Sequence, residues 1–140
     1  MGIVQLHRWR LLIGFTTLGL LHLSAVGACL SPDPYDVSSD TVINLLQPTE
    51  CSLGSISVGE GVNFSDAGNR FATIQNDGTI TTITNRGTIS SNNVVIFNSR
   101  PSSTITTIIN IGKLASPDIA IVNNRGTIDL LNNSGTISGG

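Results

Sequence analysis

Two cysteines and a few carboxylates are the chemically active groups of this chain once its first 28 residues are set aside. Both histidines, His7 and His22, and the single tryptophan, Trp9, fall within those 28. From Cys29 onward there is no imidazole, which excludes a Ser-His-Asp triad, a Cys-His pair and an ordinary zinc site. Asp77, Asp118 and Asp129 remain as candidate acids. Carboxylate chemistry on polysaccharides needs such groups gathered on one face. These three stand at different phases of the repeat described below, so they are expected not to converge. The expectation is a non-enzymatic chain with no cofactor. No metal is expected either, because the G-G-x-G-x-D pattern of calcium-binding repeats is missing.

The cysteines carry the other chemistry. Cys29 follows the small residues Ser24-Ala25-Val26-Gly27-Ala28, which come after the apolar run Leu11–Leu23 and the basic His7, Arg8 and Arg10. That order fits a cleavable export signal over 1–28, cut between Ala28 and Cys29, and the run is too short to span a membrane. An exported chain with Cys29 and Cys51 most simply forms one disulfide. The alternative reads Val26-Gly27-Ala28-Cys29 as similar to a bacterial lipobox, with Cys29 lipidated and Cys51 left as a free thiol. Residues 29–140 hold five basic and nine acidic side chains. That balance argues against nucleic acid as a partner. Membrane contact is expected only through export or a lipid anchor.

The elements that must position these residues are set by a tandem repeat. Thr79–Ser90 reads TITTITNRGTIS; 104–115 reads TITTIINIGKLA and 127–138 TIDLLNNSGTIS. The first copy matches each of the others at seven of twelve positions, and FATIQN, VVIFNS and IAIVNN recur upstream in the same phase. A period of 23 to 25 residues means a solenoid whose units bury their apolar faces by stacking. Thr-Ile-Thr alternation indicates half-buried strands, and the density of Gly, Asn, Thr and Ser disfavours helix. The predicted fold is all-β, a parallel β-helix of about three rungs, with units at 71–93, 94–118 and 119–140. Residues 29–70 read as an exposed connector followed by a degenerate first rung or a cap.

Within the first unit, strands are predicted near 71–75, 79–83 and 88–90. Ile80, Ile105 and Ile128 should form one interior column, and Ile89, Leu114 and Ile137 another. Asn85, Asn110 and Asn133 fall at one corner, where their amides can form a structural ladder at the ~4.8 Å strand spacing. Gly78, Gly87, Gly112, Gly126 and Gly135 sit at the bends, where positive φ is the expected reason for glycine. Pro101-Ser102-Ser103 replaces a bend glycine and should bulge as a loop, the place where such scaffolds display function.

The signal segment and the N-x-G-T-I runs of 71–140 together resemble the passenger region of bacterial autotransporters, the type V secreted surface proteins. The resemblance implies a right-handed β-helix exported to the surface of a Gram-negative cell, adhesin-like, with a host-cell or surface ligand. The family's outer-membrane barrel needs about a dozen strands of ~10 residues, so a fragment of a longer protein is expected. An open apolar end should favour self-association. The competing reading is a small exported solenoid lipidated at Cys29. Outward Thr79/Thr81, Thr104/Thr106 and Thr127/Asp129 also resemble the face of ice-binding solenoids, with Asp129 breaking the array.

Overall fold

The computed structural model describes residues 29–66, 68 and 71–140. The export signal and its Ala28 cleavage position lie outside the described residues. What is described is a parallel β-helix without helices. The first rung comprises β1 (Tyr35–Val37), β2 (Thr41–Val42) and β3 (Leu45–Gln47), and the second β4 (Ser52–Val58), β5 (Asn63–Ser65) and β6 (Ala72–Asn76). The third comprises β7 (Thr79–Asn85), β8 (Thr88–Ser90) and β9 (Val94–Asn98). The fourth comprises β10 (Thr104–Asn110), β11 (Lys113–Ala115) and β12 (Ile119–Asn123), and β13 (Thr127–Asn133) and β14 (Thr136–Ser138) follow. The strands stack into three parallel sheets, β1-β4-β7-β10-β13, β2-β5-β8-β11-β14 and β3-β6-β9-β12.

The stack therefore makes about four turns and begins well before the clear repeat. Residues 35–37, read from sequence as part of a connector, pair with Ile56–Val58. Gly54-Ser55-Ile56-Ser57 does belong to a rung, although its likeness to G-T-I-S is out of phase. Leu53 pairs with Ile80 and Ile56 with Ile83, so Cys51 holds the phase of the bend residue Gly78.

Both predicted columns are present and gain a member at the N-terminal side. Leu53, Ile80, Ile105 and Ile128 align across sheet pairs. Phe64, Ile89, Leu114 and Ile137 align in the second sheet. A third column, Ile56, Ile83, Ile108 and Leu131, shares the long side with the first. Burying each such side chain contributes roughly 1.5–3 kcal/mol. The long side is bent: Thr81 and Thr82 are consecutive non-interior residues, and Thr81 and Thr106 are skipped in the pairing. The bend lets Ile80 and Ile83, three residues apart, both point inward.

The reason for the bend glycines differs from the sequence expectation. None of the five has a positive φ; that conformation is taken by Gly61, Gly68, Glu50 and Arg125. What glycine provides is close approach between rungs. A Cβ on Gly112 would lie 2.0 Å from the Gly87 carbonyl oxygen and 2.9 Å from that of Arg86. Backbone occupies the space, so the neighbouring rung would have to move. Gly112→Ala is expected to lower stability by about 3 kcal/mol or more. Gly61→Ala, with open space but φ of 73°, should cost about 1–2 kcal/mol. Urea unfolding of the two variants checks the order.

Candidate functional site

One local device recurs at all three corner columns of the stack. A polar side chain at the end of a strand accepts the backbone N–H two residues on, the geometry of an Asx or Ser/Thr turn. Asn85 Oδ1 accepts from Gly87 N at 3.1 Å, and Asn76 Oδ1 from Gly78 N at 3.2 Å. At the third corner Asp66 Oδ1 accepts from Gly68 N at 3.0 Å. Ser91 Oγ there accepts from Asn93 N at 3.1 Å, and Ser116 Oγ from Asp118 N at 2.9 Å.

Asparagine adds two amide donors that reach the next rung, whereas the Ser91 and Ser116 hydroxyls donate back to the rung before. Asn85 Nδ2 donates to Asn110 Oδ1 at 2.8 Å, and Asn110 Nδ2 to Asn133 Oδ1 at 2.7 Å. Their second amide protons go to the carbonyls of Lys113 and Thr136, each at 3.0 Å. The predicted ladder is thus present. A second one was missed: Asn76 Nδ2 donates to Asn98 Oδ1 and Asn98 Nδ2 to Asn123 Oδ1, both at 2.9 Å. Its signal was the N that closes FATIQN, VVIFN and IAIVN. Gln47 continues this column upward, paired with Asn76, its Nε2 3.5 Å from the Thr79 carbonyl. Asn76, Asn98 and Asn110 are fully buried, and among the described residues no buried side-chain N or O lacks a partner.

The predicted insert sits on the corner between β9 and β10. It folds into a turn in which Ser103 N donates to Arg100 O at 3.0 Å, while Pro101 and Ser102 are exposed. Ser103 takes the bend-glycine phase and is buried. The turn is anchored to Asp77 one rung earlier. Arg100 Nε donates to Asp77 Oδ2 at 2.9 Å, Gln75 Nε2 to Oδ1 at 3.0 Å, and the Ser99 hydroxyl also to Oδ1. Beside it lies a depression of about 280 Å³ lined by Thr49, Glu50, Ser52, Asp77, Thr79 and Ser102, among others. Burial raises the Asp77 carboxyl, but the bonds from Ser99, Gln75 and Arg100 and the Arg100 charge outweigh it, so it titrates below the usual range. Asp66 behaves alike: burial raises it, while Ser91 and the Asn92 and Gly68 N–H groups lower it further. Both are anions committed to holding loops.

The other candidate residues are dispersed. Asp118 lies at the corner before β12, and Asp129 within β13, on the same phase as Thr81 and Thr106. Cys29 and Cys51 form a disulfide with Cα atoms 5.3 Å apart. It occupies the Cys29 sulfur that a lipid thioether would need. Among the described residues no group of three or more His, Cys, Asp or Glu is placed to hold a metal. No helix among them is long and apolar enough to cross a membrane. No protein-family profile, curated protein or solved structure matches the chain.

Two pH responses of opposite sign follow from these corners. Asp66 and Asp77 have depressed folded values, so their stabilisation is full above the ordinary carboxylate range and is lost as pH falls below about 4. Thermal melts followed by circular dichroism should fall in that window, and fall less for Asp66→Asn and Asp77→Asn. Asn110→Asp places an acceptor against two acceptors in a buried site. Its carboxyl should be raised, so the variant is most stable in acid and weakens as pH rises through that value. Asn110→Ala, which orphans Asn85, should cost about 1–3 kcal/mol with little pH dependence.

Proposed function

We propose that the chain is a non-enzymatic, exported β-helix that acts as a rigid display surface, adhesin-like, in the manner of an autotransporter passenger. The observation that carries this reading is the long outer face of the stack. There Ser52, Thr79, Thr104 and Thr127 align in register, and beside them Ser55, Thr82 and Thr107. The core behind fixes these hydroxyls at the ~4.8 Å strand spacing, which suits contact with a repetitive or extended ligand. The corner turn of Arg100–Ser103 is the feature that breaks the smooth outline, and it is where selectivity for a ligand would reside. The Cys29–Cys51 bond supports an oxidising compartment. Because that bond engages Cys29, it favours a free N-terminus over the lipid-anchored alternative.

The test is an intact-mass measurement on protein recovered from the producing cell, with protease accessibility of the intact cell. The expected product begins at Cys29, carries no acyl chain, is two hydrogens lighter than the dithiol and is cut from outside. An acylated Cys29 supports the lipoprotein-like solenoid instead. A cytoplasmic chain that retains residues 1–28 and reduced cysteines overturns export and the display role with it. Immobilised protein should then retain extracellular glycans or matrix proteins, and replacing Arg100–Ser103 by Asn-Gly should change which are retained.

A further inference from the structure

The outer side of the third sheet carries side chains that serve neither the core nor a ladder. In β9 Ile96 packs in the core and Asn98 in the ladder, so Phe97 between them faces outward. In β6 the same alternation turns Gln75 outward, beside Phe97 in the pairing. Phe71, just before β6, is half exposed, and its ring meets that of Phe97 edge-on with centroids 5.0 Å apart. An edge-to-face pair covers one ring face at most. Gln75 joins these rings to the corner, because its Nε2 donates to Asp77 Oδ1 and Asp77 walls the depression of about 280 Å³. Asp77 is engaged by Gln75, Ser99 and Arg100. Glu50, in the same depression, makes no hydrogen bond or ion pair among the described residues. It stands at φ of 68° in a turn that Cys51 N–H closes to Pro48 O at 3.2 Å. Glycine suits that position, so the turn itself gives no reason for a carboxylate. Ser52, Thr79 and Ser102 bring hydroxyls to the depression from three successive turns of the stack.

We propose that this corner binds a neutral glycan chain, with one sugar in the depression and the chain continuing past Gln75 onto Phe97 and Phe71. The inference rests on the display role above and names its ligand. A sugar ring carries hydroxyls at its rim and C–H groups on its faces. The rim needs hydrogen-bond acceptors and hydroxyls, which Glu50, Ser52, Thr79 and Ser102 supply. The faces need an aromatic ring, whose negative π-surface attracts polarised C–H groups. Both kinds of partner lie on one strip, since Gln75 neighbours Phe97 and is two residues, roughly 7 Å, from Asp77. The depression is at the small end of ligand pockets, which suits a single ring rather than a whole oligomer. Charge sets the class of sugar. Glu50 and Asp77 are both carboxylates, and the Arg100 guanidinium is already bound to Asp77. A uronate or sulfate would meet like charge there, whereas a neutral chain would not.

Isothermal titration calorimetry of the purified protein tests this with hexasaccharides of glucose, mannose, galactose, N-acetylglucosamine and galacturonate. At least one neutral oligomer is expected to bind, and the galacturonate chain not to. Phe97→Leu keeps an apolar side chain but removes the π-face, and Glu50→Gly removes the carboxylate. Each should weaken the binding about tenfold. Thermal melts run beside the titrations, and Glu50→Gly should melt no lower than the parent because glycine suits its backbone. Its loss of binding then cannot come from unfolding. The proposal is overturned if no neutral oligomer binds, if galacturonate binds better, or if Glu50→Gly binds as tightly as the parent. An exported chain that retains matrix proteins but no sugar overturns this proposal and leaves the display role standing. A cytoplasmic chain that binds a neutral oligomer through Glu50 and Phe97 supports the site and overturns the display role alone.

Discussion

The interaction on which the structure depends is the buried corner asparagine. A parallel β-helix must turn sharply three times per rung, and each turn leaves backbone N–H and C=O groups without a strand partner. A carboxamide has the required valence: its oxygen accepts from the turn at Asn76 and Asn85 or from the rung before at Asn98, Asn110, Asn123 and Asn133, and its two N–H groups can reach the rung after. Asn98 shows the donor half, bonded to Asn123 and to the Thr127 carbonyl, both at 2.9 Å. A buried amide with a missing partner would cost about 1–3 kcal/mol. The ladders therefore fix register as well as stabilise it. A slip by one residue would place the amide on the outer face and leave the corner unsatisfied.

Register in turn determines everything that faces outward. Once Asn85 stands over Asn110, Ile80 must stand over Ile105 and Thr79 over Thr104. The apolar columns contribute most of the stabilising energy, but apolar packing is non-directional and would tolerate a shift between alike residues. The hydrogen-bonded corners supply the direction. Where a serine or aspartate replaces asparagine, at Asp66, Ser91 and Ser116, the turn is still made but the amide relay to the next rung is absent. That corner instead uses Asp66 to bind Ser91 Oγ at 2.5 Å and the Asn92 N–H at 2.9 Å. The acid sensitivity expected of it follows from making the turn itself with an anion, where Asn76 and Asn85 make theirs with a neutral amide.

The first and last described rungs are treated unequally. At the start, Asp33 and Asp40 occupy the Gly54, Ser55 and Asn63 donors that a longer first rung would have taken, and the disulfide ties down the segment that carries Asp33. This is the usual protection of an edge by charge and cover. At the far side, the amides of Asn123 and Asn133 turn back to the carbonyls of Gly126 and Gly135 in their own rung. The same chemistry that passes along the stack is there folded onto itself.

The sequence by itself determined the fold class, the phase of the strands, the two apolar columns and the Asn85–Asn110–Asn133 ladder. All of these follow from periodicity, because residues one period apart meet in a solenoid. The Cys29–Cys51 pair was legible for a different reason, as two cysteines have one way to join. The second ladder was written in the same I-x-N pattern but is visible only once Asn76, Asn98 and Asn123 are seen to share a corner. Only the tertiary structure decided what lacks a period. The first rung is built from residues 35–47 without repeat character, and Asp33 meets Gly54 across 21 residues. Asp77 gathers Ser99 and Arg100 from an insert that occurs once. The bend glycines belong to this group too, since their purpose is set by a carbonyl of the adjacent rung, a distance that local backbone preference does not encode.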